Sequence, residues 1–457
     1  MPLAKNQRLF EKLRTRFPVF QVEPWNLRRS SNGFNVCFNY SISEETSFSS
    51  SFDFSFPQGA KLPEYDDLTP YLAALCAIDA LSYWKCCCSP TLNFSAAPLA
   101  DPGWWQQLFY NGTSEFRFVN GITVSAEEFV TIAAAAPAKP NDRAQLSGHL
   151  IPVGGGKDSV VTLELLKEEK ADSTVFIFNP RDASLLTAEH AGFPSSSHVH
   201  VKHPIDPKLL ELNELGYLNG HTPFSALLAF AAAISARCTG RKNIILSNES
   251  SANEGNLSGS DVNHQWSKTF EFEQLAAEYL RLHCHPQLNY FSLLRPLNEL
   301  QIAQRFADCP HQFTAFRSCN AGSKNNSWCG KCPKCLFVYI SLAPFLSSEE
   351  LSSIFGRNLL EDPELEPILF QLTGQGGIKP LECVGTHEEV CAALKEIADQ
   401  YYDEPPLLVR KFMESDYPKS ASIETLLGAM NEDHLVPQPL IALLDDSRNK
   451  NESSSLL

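Results

Sequence analysis

An apolar strand runs directly into three glycines and the start of a helix at Leu150-Ile-Pro-Val-Gly-Gly-Gly-Lys-Asp-Ser159. Glycine permits positive φ and lets backbone N–H groups close around phosphate oxygens, and a helix that begins at Ser159 adds the positive end of its dipole. Lys157 can neutralise phosphate charge, and the hydroxyl of Ser159 can hydrogen-bond to a phosphate oxygen. The segment therefore predicts a phosphate-binding loop. Its predicted contact residues are Gly154, Gly155, Gly156, Lys157, Asp158 and Ser159.

Asp158 is the unusual member of this loop, because a carboxylate beside a phosphate is repulsive unless a cation lies between them. We therefore expect Asp158 to bind Mg²⁺ together with the pyrophosphate of ATP, with a helix N-cap as the alternative role. The glycine spacing differs from the Walker pattern and from the dinucleotide pattern Gly-x-Gly-x-x-Gly.

Short apolar strands alternate with helical stretches from His149 onward, which predicts a doubly wound, mostly parallel α/β sheet. The predicted strands are 150–153, 174–179, 198–202, 243–248 and 290–294. The predicted helices are 159–169, 223–236 and 271–283. The apolar run 224–234 is too short to cross a bilayer, so we interpret it as a buried helix and expect no membrane partner.

The regions on either side of this sheet have a different character. Two β-rich runs, 34–42 and 47–56, predict a hairpin that is followed by a helix over 68–84. Capping boxes at Ser347/Glu350 and Thr386/Glu389 predict helices near the C-terminus. The predicted organisation is a β-rich α+β domain over 1–145, an α/β domain over 146–345, a helical region over 346–445 and a disordered tail over 446–457.

Composition limits the class of protein. The chain has 457 residues, of which 43% are hydrophobic and 20% charged, the balance of a folded protein. Fourteen cysteines without a secretion signal favour reduced thiols or metal binding in the cytoplasm. The net charge of -16 comes mainly from residues 341–457, which hold 21 acidic and 8 basic residues. A nucleic-acid groove would need basic excess, so we expect no nucleic-acid partner.

Four cysteines, Cys319, Cys329, Cys332 and Cys335, lie within one short basic segment. Their spacing suits tetrahedral thiolate ligation of Zn²⁺, and nearby lysines would offset the negative charge of such a centre. We expect a structural zinc ion there. Free thiols, or a redox or catalytic cysteine, are the alternatives.

Two further loops carry candidate functional groups. The polar segment 247–256 follows a predicted strand at the edge where open α/β sheets bind ligands, and its Glu249 or Glu254 could bind metal or act as a base. His221, His264 and Lys268 are expected on the same side. The glycine-rich segment 374–386 could fold over an anionic substrate or could be only a connector.

Gly-Gly-x-Asp-Ser after a strand resembles the pattern of the pyrophosphatase-loop (PP-loop) ATP enzymes, and Gly155 to Ser159 match it. This resemblance implies an adenylating enzyme of the PP-loop ATP pyrophosphatase fold, which uses ATP and Mg²⁺. In that superfamily the adenine lies near the end of the second strand. The matching positions here are Phe178 and Asn179.

The order of the β-rich region, glycine loop, Ser-Asn-Glu loop, cysteine cluster and Lys-Pro-Leu-Glu-Cys-Val-Gly-Thr386 segment resembles the UDP-N-acetylmuramoyl-L-alanyl-L-glutamate epimerases of bacterial cell-wall synthesis. The resemblance covers roughly residues 15–440. It implies ATP-dependent inversion of the terminal glutamate of the UDP-linked dipeptide through an acyl-adenylate. It also implies action in sequence with a muramoyl ligase that adds L-glutamate.

Candidate catalytic residues follow from this chemistry, because one group must remove the α-proton and another must return a proton on the opposite face. The predicted catalytic residues are Lys157, Ser159, Glu249 and Glu254, with Lys157 or a backbone N–H as donor to the enolate. The candidates for proton transfer are Glu249, Glu254, His264, Lys268 and Cys383, and a pair of thiols, as in metal-free amino-acid racemases, is a further alternative. A relative of the 7-cyano-7-deazaguanine synthases or another tRNA-modifying enzyme is the rival, supported by the cysteine cluster. A non-catalytic nucleotide sensor is the rival of a different class.

Overall fold

A computed structural model describes residues 3–137, 142–257, 262–322, 325–401 and 404–445. The predicted disordered tail over 446–457 lies outside these residues. The strands of the described chain are β1 (Val19–Val22), β2 (Asn26–Ser30), β3 (Gly33–Ser43), β4 (Thr46–Ser55), β5 (Thr91–Pro98), β6 (Thr131–Ala135), β7 (Ser147–Pro152), β8 (Ser173–Phe178), β9 (His198–Lys202), β10 (Arg241–Leu246) and β11 (Asn289–Ser292).

Helices connect these strands and make up most of the C-terminal part. They are α1 (Leu3–Arg16), α2 (Tyr65–Trp84), α3 (Pro102–Gly112), α4 (Ser114–Asn120), α5 (Ala126–Phe129), α6 (Lys157–Leu165), α7 (Asp182–His190), α8 (Pro207–Glu214), α9 (Phe224–Thr239), α10 (Phe270–His283), α11 (Glu299–Ala307), α12 (Pro333–Leu342), α13 (Ser348–Phe355), α14 (Glu366–Leu372), α15 (His387–Gln400), α16 (Leu407–Met413), α17 (Ile423–Leu427) and α18 (Gln438–Ile441). None of the described helices is both long enough and apolar enough to span a membrane.

One half of the sheet is parallel, in the order β9-β8-β7-β10-β11. The chain moves outward from β7 through β8 to β9, and later continues on the other side of β7 through β10 and β11. This reversal opens a crevice at the carboxyl ends of β7 and β10, the place where open α/β sheets bind ligands. The glycine loop follows β7 and therefore lies at this crevice.

Helices cover both faces of the parallel half, and the strand residues divide between two apolar cores. Leu150 and Ile244 belong to the core that contains α2, α9 and α10. Their chain neighbours Ile151 and Ile245 belong to the core that contains α11, α12 and most of the C-terminal helices. Burial of both faces explains why these strands are continuous apolar runs. The predicted α/β class with a mostly parallel sheet and a helical C-terminal part is confirmed.

The N-terminal hairpin extends the same sheet. β3 and β4 pair antiparallel, and β4 pairs antiparallel with β9 through Phe54 and Val201. β1, β5 and β6 complete the far edge, while β2 pairs with β3. The sheet thus continues across the predicted boundary at residue 145, and α2 of the N-terminal part packs in the same core as α9 and α10.

Two capping boxes mark helix starts correctly, whereas the helix after the glycine loop starts earlier and ends earlier than expected. Ser347 and Thr386 cap α13 and α15 through capping boxes with Glu350 and Glu389, as expected. The helix expected to begin at Ser159 instead begins at Lys157, because Gly156 in extended conformation serves as its N-cap. Asp158 is therefore a first-turn residue, and the alternative that it caps the helix is wrong.

Candidate active site

The glycine loop is held by a close approach that only glycine allows. Gly155 has a φ of +85°, and a Cβ at this position would lie 2.6 Å from the backbone of Ala183 and Ser184 at the start of α7. The N–H of Arg317 donates to the carbonyl of Gly155 at 2.7 Å. The loop is thus clamped between α7 and the segment that leads to the cysteine cluster.

The first turn of α6 presents an acidic and a hydroxyl side chain. The N–H of Gly155 donates to Ser159 Oγ at 3.2 Å, and the Ser159 hydroxyl donates to the carbonyl of Gly156 at 2.9 Å. The Asp158 side chain is 25% exposed. Burial opposes its ionisation, but the charges of Lys157 and Lys334 outweigh burial and lower the pKa of Asp158.

Lys157 is buried and lies between two carboxylates, those of Asp158 and Glu299. Glu299 is the first residue of α11, whose N-cap is Asn298. Burial raises the pKa of Glu299 although the charge of Lys157 acts against the change. The ammonium group of Lys157 is therefore engaged with protein carboxylates beside the loop. Its predicted contact with phosphate stays a prediction.

Glu249 lies three residues beyond β10 on the opposite side of the crevice and is 4% exposed. Burial and the nearby charge of Asp158 raise its pKa. The fully buried Arg295 fixes this segment: its Nη1 donates to the carbonyl of Glu249 at 2.5 Å, and its Nη2 donates to the carbonyl of Lys268 at 2.6 Å. Glu273 accepts from the same Nη2 at 2.9 Å and compensates the Arg295 charge.

Glu254 joins the two predicted loops instead of pointing toward the phosphate loop. Its Oε1 lies 2.9 Å from Nζ of Lys379, which is buried. The N–H of Lys379 donates to the carbonyl of Asn256 at 3.2 Å, and Asn256 Nδ2 donates to the carbonyl of Pro380 at 2.8 Å. These contacts join segments 247–256 and 374–386, and the expectation that the second segment folds over an anionic substrate stays a prediction.

Cys383 lies in the second of these loops. Its carbonyl accepts a hydrogen bond from Lys334 Nζ, and, against the effect of burial, the charges of Lys268 and His264 lower the pKa of its thiol. Nδ1 of His264 lies 2.5 Å from Oε2 of Glu115. The rings of His264 and His221 have centroids 4.2 Å apart. The predicted candidates His221, His264, Lys268 and Cys383 thus form one cluster.

The two residues expected near adenine have structural partners at the end of β8. Phe178 packs edge-on against Phe224, with ring centroids 5.6 Å apart. Asn179 has a φ of +47°, accepts from the N–H of His203 at 2.8 Å and donates to its carbonyl at 3.2 Å. These contacts fix the end of β8, and the assignment of Phe178 and Asn179 to adenine stays a prediction.

The four predicted cysteines converge around the start of α12, whose N-cap is Cys332. Their sulfur atoms all lie within 4.8 Å of one another, with separations of 3.5 Å for Cys332–Cys335, 3.7 Å for Cys329–Cys335 and 3.9 Å for Cys319–Cys332. A tetrahedral Zn²⁺ with Zn–S bonds of about 2.3 Å requires S···S separations of about 3.8 Å. The N–H of Gly322 also donates to Cys319 Sγ at 3.1 Å, as suits a thiolate ligand. The donor set fits zinc.

The crevice combines a glycine loop, a helix N-terminus and a set of lysines and carboxylates with opposed pKa shifts. Such sets at the switch point of an α/β sheet are typical of enzymes that act on phosphate-bearing substrates.

Comparison with known proteins identifies the family. The family model for the MurL N-terminal domain matches residues 11–293, and the model for the MurL C-terminal domain matches residues 307–425. The chain belongs to the UDP-N-acetyl-alpha-D-muramoyl-L-alanyl-L-glutamate epimerase family, and it is an epimerase.

Three relatives carry that enzyme name. The one from Xanthomonas oryzae pv. oryzae is 33% identical over 81% of this chain and 84% of its own. The one from a Micromonospora species is 36% identical over 73% of this chain and 76% of its own. The one from Salinispora tropica is 40% identical over 55% of this chain and 56% of its own.

Sequence reasoning missed the residues that complete the crevice from distant parts of the chain. Glu299 and Arg295 had no distinguishing motif, although Glu299 follows a capping residue, Asn298. Glu115 lies in a short N-terminal helix, 149 residues before His264. Lys334 was noted only as part of the basic cysteine segment. Their roles depend on tertiary proximity, which no local pattern encodes.

Because Glu254 pairs with Lys379 of the second loop, replacing Glu254 and replacing Glu249 should have different effects on KM and kcat. Replacing Glu254 with Gln should raise KM several-fold and leave kcat within a few-fold, because the change weakens a link between loops. Replacing the buried Glu249 with Gln should lower kcat by about 10²–10⁴, the usual contribution of a proton-transfer group. Steady-state epimerase kinetics measure both. A loss of kcat in Glu254→Gln as large as in Glu249→Gln would show that Glu254 takes part in catalysis.

Proposed function

We propose that this epimerase inverts the α-carbon of the terminal L-glutamate of UDP-N-acetylmuramoyl-L-alanyl-L-glutamate in peptidoglycan synthesis, and that it cleaves ATP at the α-phosphate to do so. The names of the relatives support the substrate. The observation that carries the ATP-dependent step is the glycine loop at the switch point, with Lys157, Asp158 and Glu249 gathered beside it.

The need for ATP follows from the acidity of the substrate. Removal of an α-proton next to a free carboxylate would place a second negative charge beside the first, which is strongly unfavourable at short distance. Transfer of the carboxylate to the α-phosphorus of ATP gives an acyl-adenylate and pyrophosphate. The adenylate carries no charge on its carbonyl, so the α-proton becomes far more acidic. Water then releases AMP from the epimerised product.

The glycine loop suits the binding of the leaving pyrophosphate, and the sheet order supports a PP-loop type of nucleotide site. Gly154 is exposed, and a side chain at that position would meet no neighbouring atom, so phosphate oxygens can approach the loop backbone. The N-terminus of α6 directs N–H groups and its dipole toward the same place. Lys157 would balance phosphate charge, and the hydroxyl of Ser159 steadies the loop.

Asp158 fits a Mg²⁺ ion that would be bound with the nucleotide. Its side chain is partly exposed at the loop, and its lowered pKa keeps it a carboxylate, the oxygen ligand that Mg²⁺ prefers. Bound there, the ion would supply positive charge to the leaving pyrophosphate.

Glu249 also suits one of the two proton transfers. Its raised pKa favours the protonated acid, which can deliver a proton to the enolate of the adenylate. Lys157 or a backbone N–H at the loop would oppose the negative charge of the enolate oxygen. An L-glutamate-adding muramoyl ligase would supply the substrate, since its product is the compound that this reaction consumes.

The alternatives have weaker support. A 7-cyano-7-deazaguanine synthase-like or tRNA-modifying enzyme rests on the cysteine cluster, whereas the family match extends over residues 11–293 and 307–425. The net charge of -16 disfavours a tRNA substrate. A nucleotide sensor gives no reason for so many buried ionisable groups, which are costly to desolvate.

The proposed reaction predicts two products that can be measured together. Purified protein with ATP, Mg²⁺ and UDP-N-acetylmuramoyl-L-alanyl-L-glutamate in deuterated water should form AMP and α-deuterated glutamyl product. Asp158→Asn should lower both rates by at least about 10²-fold and increase the Mg²⁺ concentration required for half-maximal rate, because a cation ligand is lost. Deuterated product without AMP would contradict the ATP-dependent step, and absence of both products would contradict the whole proposal.

We also propose that the cysteine cluster holds a structural zinc ion. The purified protein should retain about one zinc ion per chain after exhaustive dialysis, and Cys332→Ser should lose the zinc and unfold at a lower temperature. Cys391→Ser changes a buried thiol outside the cluster and should retain the metal. Elemental analysis and thermal unfolding measure these outcomes. A metal-free, fully folded wild-type protein would contradict the assignment.

A further inference from the structure

One thiol at the crevice lies in surroundings that differ from those of the other core cysteines. Cys383 is partly buried, and Lys334 Nζ donates to its carbonyl. Gln265 Nε2 donates to the carbonyl of the next residue, Val384, at 3.3 Å, which holds this loop against the segment that contains His264 and Lys268. Burial acts against ionisation of this thiol, but the charge of Lys268 and the hydrogen bond from His264 outweigh it and lower the pKa of Cys383 to about 6. A thiol held in this way is a thiolate at neutral pH.

Two other buried cysteines show that burial alone does not produce this state. Cys391 lies eight residues further along the chain, on α15, and burial raises the pKa of its thiol to about 11. Burial likewise raises the pKa of Cys309 to about 12. The cationic neighbours of Cys383 therefore make the difference.

His264 is itself oriented by a carboxylate on its other side. Nδ1 of His264 lies 2.5 Å from Oε2 of Glu115, and the Glu115 and Cys383 charges together raise the pKa of His264 to about 9 in spite of burial. The neighbouring His221 is 4.0 Å from the same carboxylate, and burial together with the charge of His264 lowers its pKa to about 4. His264 thus carries the positive charge of this pair. Cys383, His264 and Glu115 form a thiol–imidazole–carboxylate relay.

Lys268 links this relay to the proposed reaction centre. Lys268 interacts electrostatically with Cys383, Glu249 and Asp158, so it links the thiol to the acid and to the phosphate loop. Arg295 holds the backbones of Lys268 and Glu249 with the same guanidinium group. The pKa values of the thiol and of Glu249 therefore shift in opposite directions, and both groups interact with the half-buried ammonium group of Lys268.

We propose that Cys383 is the catalytic base that exchanges the α-proton on one face of the adenylated glutamate, and that His264 and Glu115 are positioning residues that keep it a thiolate. This inference rests on the proposed function.

In this step one proton leaves the α-carbon and one proton is returned to its opposite face. Cys383 Sγ takes the α-proton, so the Cα–H bond breaks, an S–H bond forms and the electron pair of the C–H bond moves into the enolate. Protonated Glu249 then gives its proton to the opposite face. The thiol proton passes to solvent and Glu249 takes up a solvent proton, which restores both groups and leaves one solvent-derived hydrogen on the product.

The decisive variant is Cys383→Ser, because a serine hydroxyl has nearly the size of the thiol but does not ionise near neutrality. It should lower α-deuterium incorporation in deuterated water by about 10²–10⁴-fold. ATP–pyrophosphate exchange in the presence of the UDP-linked dipeptide should stay within a few-fold of wild type, since adenylation precedes proton removal. Cys391→Ser is the matched control and should retain both activities.

The two assays distinguish an error in the proposed adenylation from an error in the proposed role of Cys383. A wild-type protein without ATP–pyrophosphate exchange would refute the proposed adenylation. A folded Cys383→Ser protein that still incorporates deuterium, or that loses ATP–pyrophosphate exchange as well, would overturn the role of Cys383 while the adenylation proposal stands.

His264→Gln keeps the thiol in place and tests the relay even if Cys383→Ser fails to fold. The groups that face Cys383 are Lys268, Lys334, His264 and Glu382. Because the thiolate is the active base, α-deuterium incorporation should rise as pH increases through about 6 in the wild type. Loss of the imidazolium should move this midpoint upward by about 1 pH unit or more and let the rate recover at high pH. An unmoved midpoint would overturn the relay.

Discussion

The crevice depends on the mutual compensation of buried charges. Lys157 lies between Asp158 and Glu299, and Arg295 is fully buried against Glu273. Breaking a buried pair of this kind by removing one partner typically costs about 3–5 kcal/mol, because the remaining charge is left without compensation. Buried charged groups are useful in a site whose charge must change during the reaction. Under the proposed mechanism, that change occurs when pyrophosphate and Mg²⁺ enter and leave.

This compensation also explains how distant segments meet at one place. Arg295 ties the ends of two loops through backbone carbonyls, and the Glu254–Lys379 pair ties the first loop to the segment before α15. Glu389 contributes a further link, since it caps α15 and also accepts from the N–H of Glu299 at 2.8 Å. The helical C-terminal part is thus connected to the phosphate loop through Glu299, which pairs with Lys157. Under the proposed mechanism it supplies the thiol that removes the proton.

The strands, the helix caps and the cysteine cluster could be predicted because short stretches of sequence determine them. An apolar run followed by glycines fixes a strand end, and a capping box fixes a helix start within a few residues, as at Thr386. The four cysteines could be grouped because ligand spacing is itself a local property. The continuation of the sheet from β9 into β4 could not be predicted, because strand pairing depends on tertiary contacts. The same is true of Glu299 and Glu115, whose partners lie 142 and 149 residues away.

The central claim is that the substrate carboxylate attacks the α-phosphorus of ATP before the α-proton is removed. The direct measurement is an isotope transfer: the α-carboxylate of the terminal glutamate is labelled with ¹⁸O, and the AMP formed during epimerisation is analysed by mass spectrometry. The account predicts ¹⁸O in the phosphate of AMP, because the bridging oxygen of the acyl-adenylate comes from the carboxylate and stays with phosphorus when water attacks the carbonyl carbon. Epimerised product accompanied by AMP without ¹⁸O would contradict it.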